Sequence, residues 1–149
     1  MSESRSGARR HDHPAGEPMT TNGDYQHALD TAGRLLGQPL VLPLGPGEPA
    51  SGADFRRLAT EHTFGDSWSR GGLDDRSRAL VSVAIAATLG TREPLRGQLR
   101  IALHSGVTPE EIVEAFIHLS VYAGVARAFD SYAIAAQVFA EFAESSPAP

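Results

Sequence analysis

The sequence predicts an all-α protein, a bundle of about six helices. No segment shows sustained alternation of apolar and polar residues, so no strand is read. Helix start and stop residues recur at helical spacing along the second half of the chain. Small residues crowd the late segments, among them Ala84, Ala86, Ala87, Ala123, Ala133, Ala135 and Ala136, and they let helices approach closely, both within one chain and between copies of it.

Residues 1–23 are rich in Gly, Pro, Ser and charge, bury almost nothing and are expected to be a disordered tail, with Met19 as an alternative start. A first helix is expected over Tyr25 to Leu36, stopping at Gly37. Residues 38–51 hold four prolines together with glycine and read as a connecting loop. A second helix is expected from Gly52 or Ala53 to His62, followed by a loop, TFGDSWSRGGLD. The third runs from Asp75 to Leu89 between an Asp74 N-cap and a Gly90 stop. Its apolar residues go nearly all the way round, which predicts a buried central helix. Pro94 to His104 is the fourth, with proline in its first turn and Gly106 beyond its end. The run Thr108-Pro109-Glu110-Glu111 carries an N-cap threonine, proline at the first helical position and a glutamate three residues on, and opens a fifth helix reaching about Ala123. The sixth spans Ala126 to Phe142. One helical domain over 24–144 follows, with residues 145–149 as a short tail.

The chain has 149 residues, 41% hydrophobic and 21% charged, enough for one real core. Its formal net charge of -5 argues against a nucleic-acid partner, which needs a basic face, and against a polybasic membrane anchor. Residues 1–20 are polar and hold no apolar stretch of the kind a signal peptide needs, and the longest apolar run, Ala79 to Leu89, is too short to cross a bilayer, so a soluble cytoplasmic protein is expected. With no cysteine, disulfides, thiolate metal sites and thiol redox chemistry are out of reach. The six histidines form no His-x-x-x-His pair with a carboxylate; His11 and His13 alternate in the tail without a third ligand, so no metal is expected. GPGEP is broken by prolines and is no phosphate loop.

Two motifs, GLDDRSRAL and ALHSGVTPEEI, in this order and spacing, together with HTFGDSWSR before them and the Ala-rich closing helix, resemble the carboxymuconolactone decarboxylase family. The resemblance runs from His62 to Phe139 and more weakly back to Tyr25. It implies the alkylhydroperoxidase D-like fold, homotrimers or homohexamers with pockets between subunits, and cofactor-independent decarboxylation of a small γ-lactone carrying a carboxylate. The family's peroxidase branch uses two cysteines, a glutamate and a histidine; here Thr91, Pro94, Ala79 and Gln98 stand at those positions. A histidine is usual at the Gln98 position in the decarboxylase branch as well. Glutamine binds and orients a ligand but carries no proton near neutral pH, so this departure from the family pattern points to a changed substrate, a changed reaction or lost catalysis.

Decarboxylation without a cofactor needs a held carboxylate, donors for the developing oxyanion and an acid that protonates carbon. His62, Trp68 and Arg70, which match the family motif, sit in or beside one loop, where Arg70 can clamp a carboxylate and His62 can act as acid or base. The structural alternatives are Trp68 anchoring the loop to the core and Arg70 paired with Asp66 or Asp74. His118 and Tyr122 lie four residues apart on one face of an apolar helix, as pocket lining or as satisfied core residues. His104, in a last turn, suits a cap role or a ligand contact. Arg76 and Arg78 begin a helix at the end that disfavours a cation, so one of them needs a salt bridge or an anion; the resemblance, through the family's Arg-x-Arg-like segment, implies Arg78 as the ligand contact.

The expected protein is therefore a lyase-like enzyme that needs no cofactor and acts on a small lactone or carbonyl acid. His62, His118 and Arg70 are the expected catalytic residues, and Trp68, Arg78, Gln98, His104 and Tyr122 the expected substrate-binding ones. Two alternatives remain open: a tailoring isomerase, dehydratase or cyclase, and a non-catalytic oligomer that binds a ligand or a partner protein.

Overall fold

The computed structural model describes residues 22–146. The expected tail, with Met19, His11 and His13, lies outside the described residues except at its last two positions, and the end of the C-terminal tail lies outside as well. Six α-helices follow in order: α1 (Asn22–Leu36), α2 (Ser51–Thr60), α3 (Asp75–Leu89), α4 (Arg92–His104), α5 (Pro109–Ala123) and α6 (Val125–Ser145). No strand occurs among the described residues.

The sequence punctuation acts where it was read. Asp74 accepts a hydrogen bond from the Ser77 N–H at 2.7 Å and starts α3. Thr108 and Glu111 form a reciprocal capping box at the start of α5, with bonds of 3.2 and 2.9 Å. Gly90 ends α3 in the left-handed region, φ 70°. Its N–H bonds the Ala87 carbonyl and the Thr91 N–H bonds that of Ala86, both at 3.2 Å, which makes a Schellman ending.

One segment departs from expectation. Glu61–Ser67, read as the last residues of a helix and the start of a loop, continues α2 as a π-helical stretch. The Trp68 N–H reaches back five residues to the Thr63 carbonyl at 2.9 Å, the wide ring of π geometry. Glycine and the short polar side chains there signalled a turn, but Trp68 is 5% exposed and joins the core, and its burial holds the chain in helical form up to it.

Leu95, Leu99 and Ile101 of α4, Ala79 and Val83 of α3, Ile112 of α5 and Ala135 and Val138 of α6 meet in one core. The pair α3 and α4 packs as a hairpin, α5 and α6 as another, and α1 lies against α4 and the π-helical stretch. Helix α3 is not buried all round as its composition suggested: Ala79, Val83, Ala86 and Ala87 are covered, while Val81, Ile85 and Leu89 stay at least half exposed. Among the described residues no helix is long and apolar enough to cross a membrane.

Candidate active site

Arginines open α3, and each meets a different partner. Arg76 pairs with Glu111, tying the start of α3 to the start of α5. The Arg78 Nη2 donates to the Arg70 carbonyl at 3.0 Å, so the guanidinium is fixed against the loop before α3. Its Nε is buried and has no hydrogen-bond partner. A buried N–H of a cation left unmet costs more than a neutral one, which is the condition a bound carboxylate or carbonyl oxygen relieves. The Arg70 side chain is exposed on the same loop and pairs with neither Asp66 nor Asp74 through any ion pair described.

His62 lies on the π-helical stretch, its side chain 85% exposed, with Nδ1 3.3 Å from the Asp66 carboxylate. A carboxylate only accepts, so Nδ1 is the donor and carries the hydrogen. Asp66 was not assigned this role from sequence. The signal was present as an i,i+4 spacing, but it has meaning only once residues 62–66 are helical.

On α4, the Gln98 Oε1 is buried without a hydrogen-bond partner, a second unmet polar atom on the α3–α4 hairpin. His104, at the far end of α4, donates from Nδ1 to the Arg100 carbonyl at 2.9 Å and meets the Phe142 ring edge-on at 5.2 Å. It lines a cavity of about 490 Å³ with Gly37, Arg100 and Glu141. On α5, His118 and Tyr122 stack at a tilt, ring centroids 5.2 Å apart, and both are exposed, Tyr122 to 79%.

The predicted residues thus fall into separate groups within one copy of the chain. Arg70 and Arg78 meet before and at the start of α3, and Trp68, two residues before Arg70, is buried in the core. His118 and Tyr122 form a second group: from Glu111, which touches the start of α3, seven residues of helix carry His118 about 10 Å further along α5. Gln98 and His104 sit at the middle and end of α4. Two further cavities, of about 520 and 420 Å³, open beside α1 and at the α5–α6 turn. None of these three cavities is lined by His62, Arg70, Gln98 or His118. Among the described residues no group of three or more His, Asp or Glu could hold a metal ion.

Comparison with known proteins agrees with this fold. The chain is 31% identical over 121 residues to the 4-carboxymuconolactone decarboxylase of Acinetobacter baylyi, covering 81% of this chain and 90% of that one. It is 36% identical over 69 residues to the nitrosuccinic acid decarboxylase of Metarhizium robertsii, a match spanning 46% of this chain and 48% of the relative. An uncharacterised 15.0 kDa protein of Paracoccus denitrificans is 35% identical over 83 residues, 54% of this chain and 62% of that one. The sequence profile of the carboxymuconolactone decarboxylase family matches residues 53–137, from α2 into α6, and the chain belongs to that family.

Proposed function

We propose that this protein is a carboxy-lyase that needs no cofactor and acts on a small lactone or carbonyl acid, working as a homotrimer or homohexamer. The observation that carries the reading is Arg78: a guanidinium fixed by the Arg70 carbonyl, with a buried Nε still lacking an acceptor. Two relatives named for the decarboxylation of different acids support the reaction class and leave the acid itself open. Having no cysteine, the chain lacks the thiols on which the family's peroxidase branch depends.

In this mechanism Arg78 and Arg70 hold the acid. The C–C bond to the leaving carboxylate breaks, carbon dioxide departs, and the electron pair passes into the neighbouring carbonyl as an enolate that the arginine donors stabilise. A histidine then delivers a proton to carbon. His62, oriented by Asp66, and His118, beside Tyr122, are the two carriers. Trp68 fixes the loop that presents Arg70. Gln98 contributes a binding contact and no proton.

The test is carbon dioxide release from 4-carboxymuconolactone and from nitrosuccinic acid by the purified full chain. Turnover of either is expected to fall at least 100-fold in Arg78→Ala, with helicity by circular dichroism unchanged. No release from either acid, or an Arg78→Ala protein as active as the parent, would overturn the proposal.

A further inference from the structure

We propose that the cavity between the end of α1, the last turns of α4 and α6 binds a small organic monocarboxylate with an apolar body, at a site separate from the arginines that open α3. The cavity holds about 490 Å³, within the ~300–1,000 Å³ of small-molecule sites. Neither Arg70 nor Arg78 lines it. Part of its lining is apolar: Val138 is 1% exposed, and Leu36 and Phe142 pack against the core. The rest is polar and charged, with Arg100 and His104 from α4 and Glu141 from α6. An apolar bed with a few convergent polar groups suits a small organic molecule better than a bare inorganic ion.

The charge balance there selects a monoanion. Arg96 Nη1 reaches one oxygen of Glu141 at 3.2 Å and Arg100 Nη2 the other at 2.9 Å. Arg96 also donates to Gln137 Oε1 at 2.7 Å. Two cations thus share one anion, which leaves one positive charge over. Of the two arginines, Arg100 lines the cavity. Its bond to Glu141 uses one of five guanidinium N–H groups, and its side chain is 41% exposed, so the others have room for an incoming carboxylate. Glu141 has both oxygens engaged and has little to offer a cation. His104 is already held in place beside them. Its Nδ1 donates to the Arg100 carbonyl at 2.9 Å, its ring meets Phe142 edge-on at 5.2 Å, and a Cβ on Gly37 would run into its Nε2. A polar group fixed before the ligand arrives costs less to order on binding.

Benzoate is the probe, with benzamide as its neutral isostere and acetate as an anion without the ring. Each is titrated into the full chain and followed by the imidazole resonances of His104, assigned by their loss in His104→Gln. Benzoate is expected to shift them saturably and to bind at least tenfold more tightly than either control. Arg100→Gln should weaken benzoate at least tenfold, as expected for losing a hydrogen bond to a charged group. Glu141→Gln removes the neutralising charge and should tighten benzoate about threefold; a carboxylate that only propped the cavity open would weaken it on removal. Circular dichroism checks that both variants stay helical, and the comparison of the three probes in the parent stands without them. Arg78→Ala should leave the benzoate midpoint at His104 unchanged. No saturable shift at His104, equal affinity for benzamide or acetate, binding indifferent to Arg100→Gln, weaker binding in Glu141→Gln, or a midpoint that follows Arg78→Ala would each overturn the proposal. Absence of decarboxylation with these results as expected would instead strike only the proposed reaction.

Discussion

Gly90 joins the backbone of the α3–α4 hairpin to a side chain of α6, and replacing it by alanine separates the two contributions. Its φ of 70° is left-handed, where an L-residue costs about 1–2 kcal/mol. A Cβ there would also run into the guanidinium of Arg127. That side chain is flexible at its tip and can move away, but in doing so it leaves the C-terminal end of α3, where a cation contributes about 0.3–1 kcal/mol. Against these, alanine lowers the entropy of the unfolded chain by about 0.4–1 kcal/mol. The expected net loss for Gly90→Ala is about 1–2 kcal/mol. Arg127→Ala alone should cost about 0.3–1 kcal/mol. The double variant should cost less than the sum of the singles by that same amount, about 0.3–1 kcal/mol, because the guanidinium is lost only once. Urea unfolding followed by circular dichroism measures all four proteins, at one fixed protomer concentration because assembly raises apparent stability. A neutral Gly90→Ala would refute the backbone argument, and strict additivity would refute the contact with Arg127.

Two further outcomes concern the joint between α3 and α5. Thr108→Ala removes one half of the capping box and is expected to cost about 1 kcal/mol in the same urea assay; an unchanged midpoint would mean the box adds nothing to the folded state. The Thr108 backbone N–H, then the Arg76 side chain, hold the Glu111 carboxyl below its ordinary value. The Ser77 backbone does the same for Asp74, and Arg100 for Glu141. A carboxyl with a depressed folded-state pKa contributes stability that is complete above its unfolded value, near 4.3 for glutamate, and is lost as the pH falls through the lower folded value. Stability should therefore drop on acidification below about pH 4.5, and Glu111→Gln should flatten that drop; an equal acid slope in parent and variant would contradict it.

The fold was legible where a local rule has one dominant solution. A threonine, a proline and a glutamate at Thr108, Pro109 and Glu111 satisfy the first N–H groups of α5 whatever packs against it, and Gly90 ends α3 because few other residues accept its φ. The π-helical stretch was not legible. Thr63, Gly65, Asp66 and Ser67 favour a turn in isolation, and only the burial of Trp68, a contact distant in sequence, reverses that preference. With the helix missed, the pairing of His62 with Asp66 was missed too.

The site was less legible, and α3 shows why. Apolar residues run nearly all round this helix in sequence, and that pattern alone does not say which of them the core covers. Val83 and Ile85 are equally apolar in sequence, yet one is sealed in the core and the other half exposed. The helix-dipole argument for Arg76 and Arg78 was sharper, because a cation at the start of a helix needs a compensating acceptor. It finds two different answers: a carboxylate for Arg76, and for Arg78 a single backbone carbonyl that leaves the buried Nε unmet. Arg76 is thereby accounted for by the fold alone, and Arg78 is not. In the proposed function an anionic substrate supplies what Arg78 lacks, so Arg78→Ala and Arg76→Ala should separate: the first should remove turnover and leave the fold, while the second should loosen the α3–α5 joint in the urea assay and leave the chemistry.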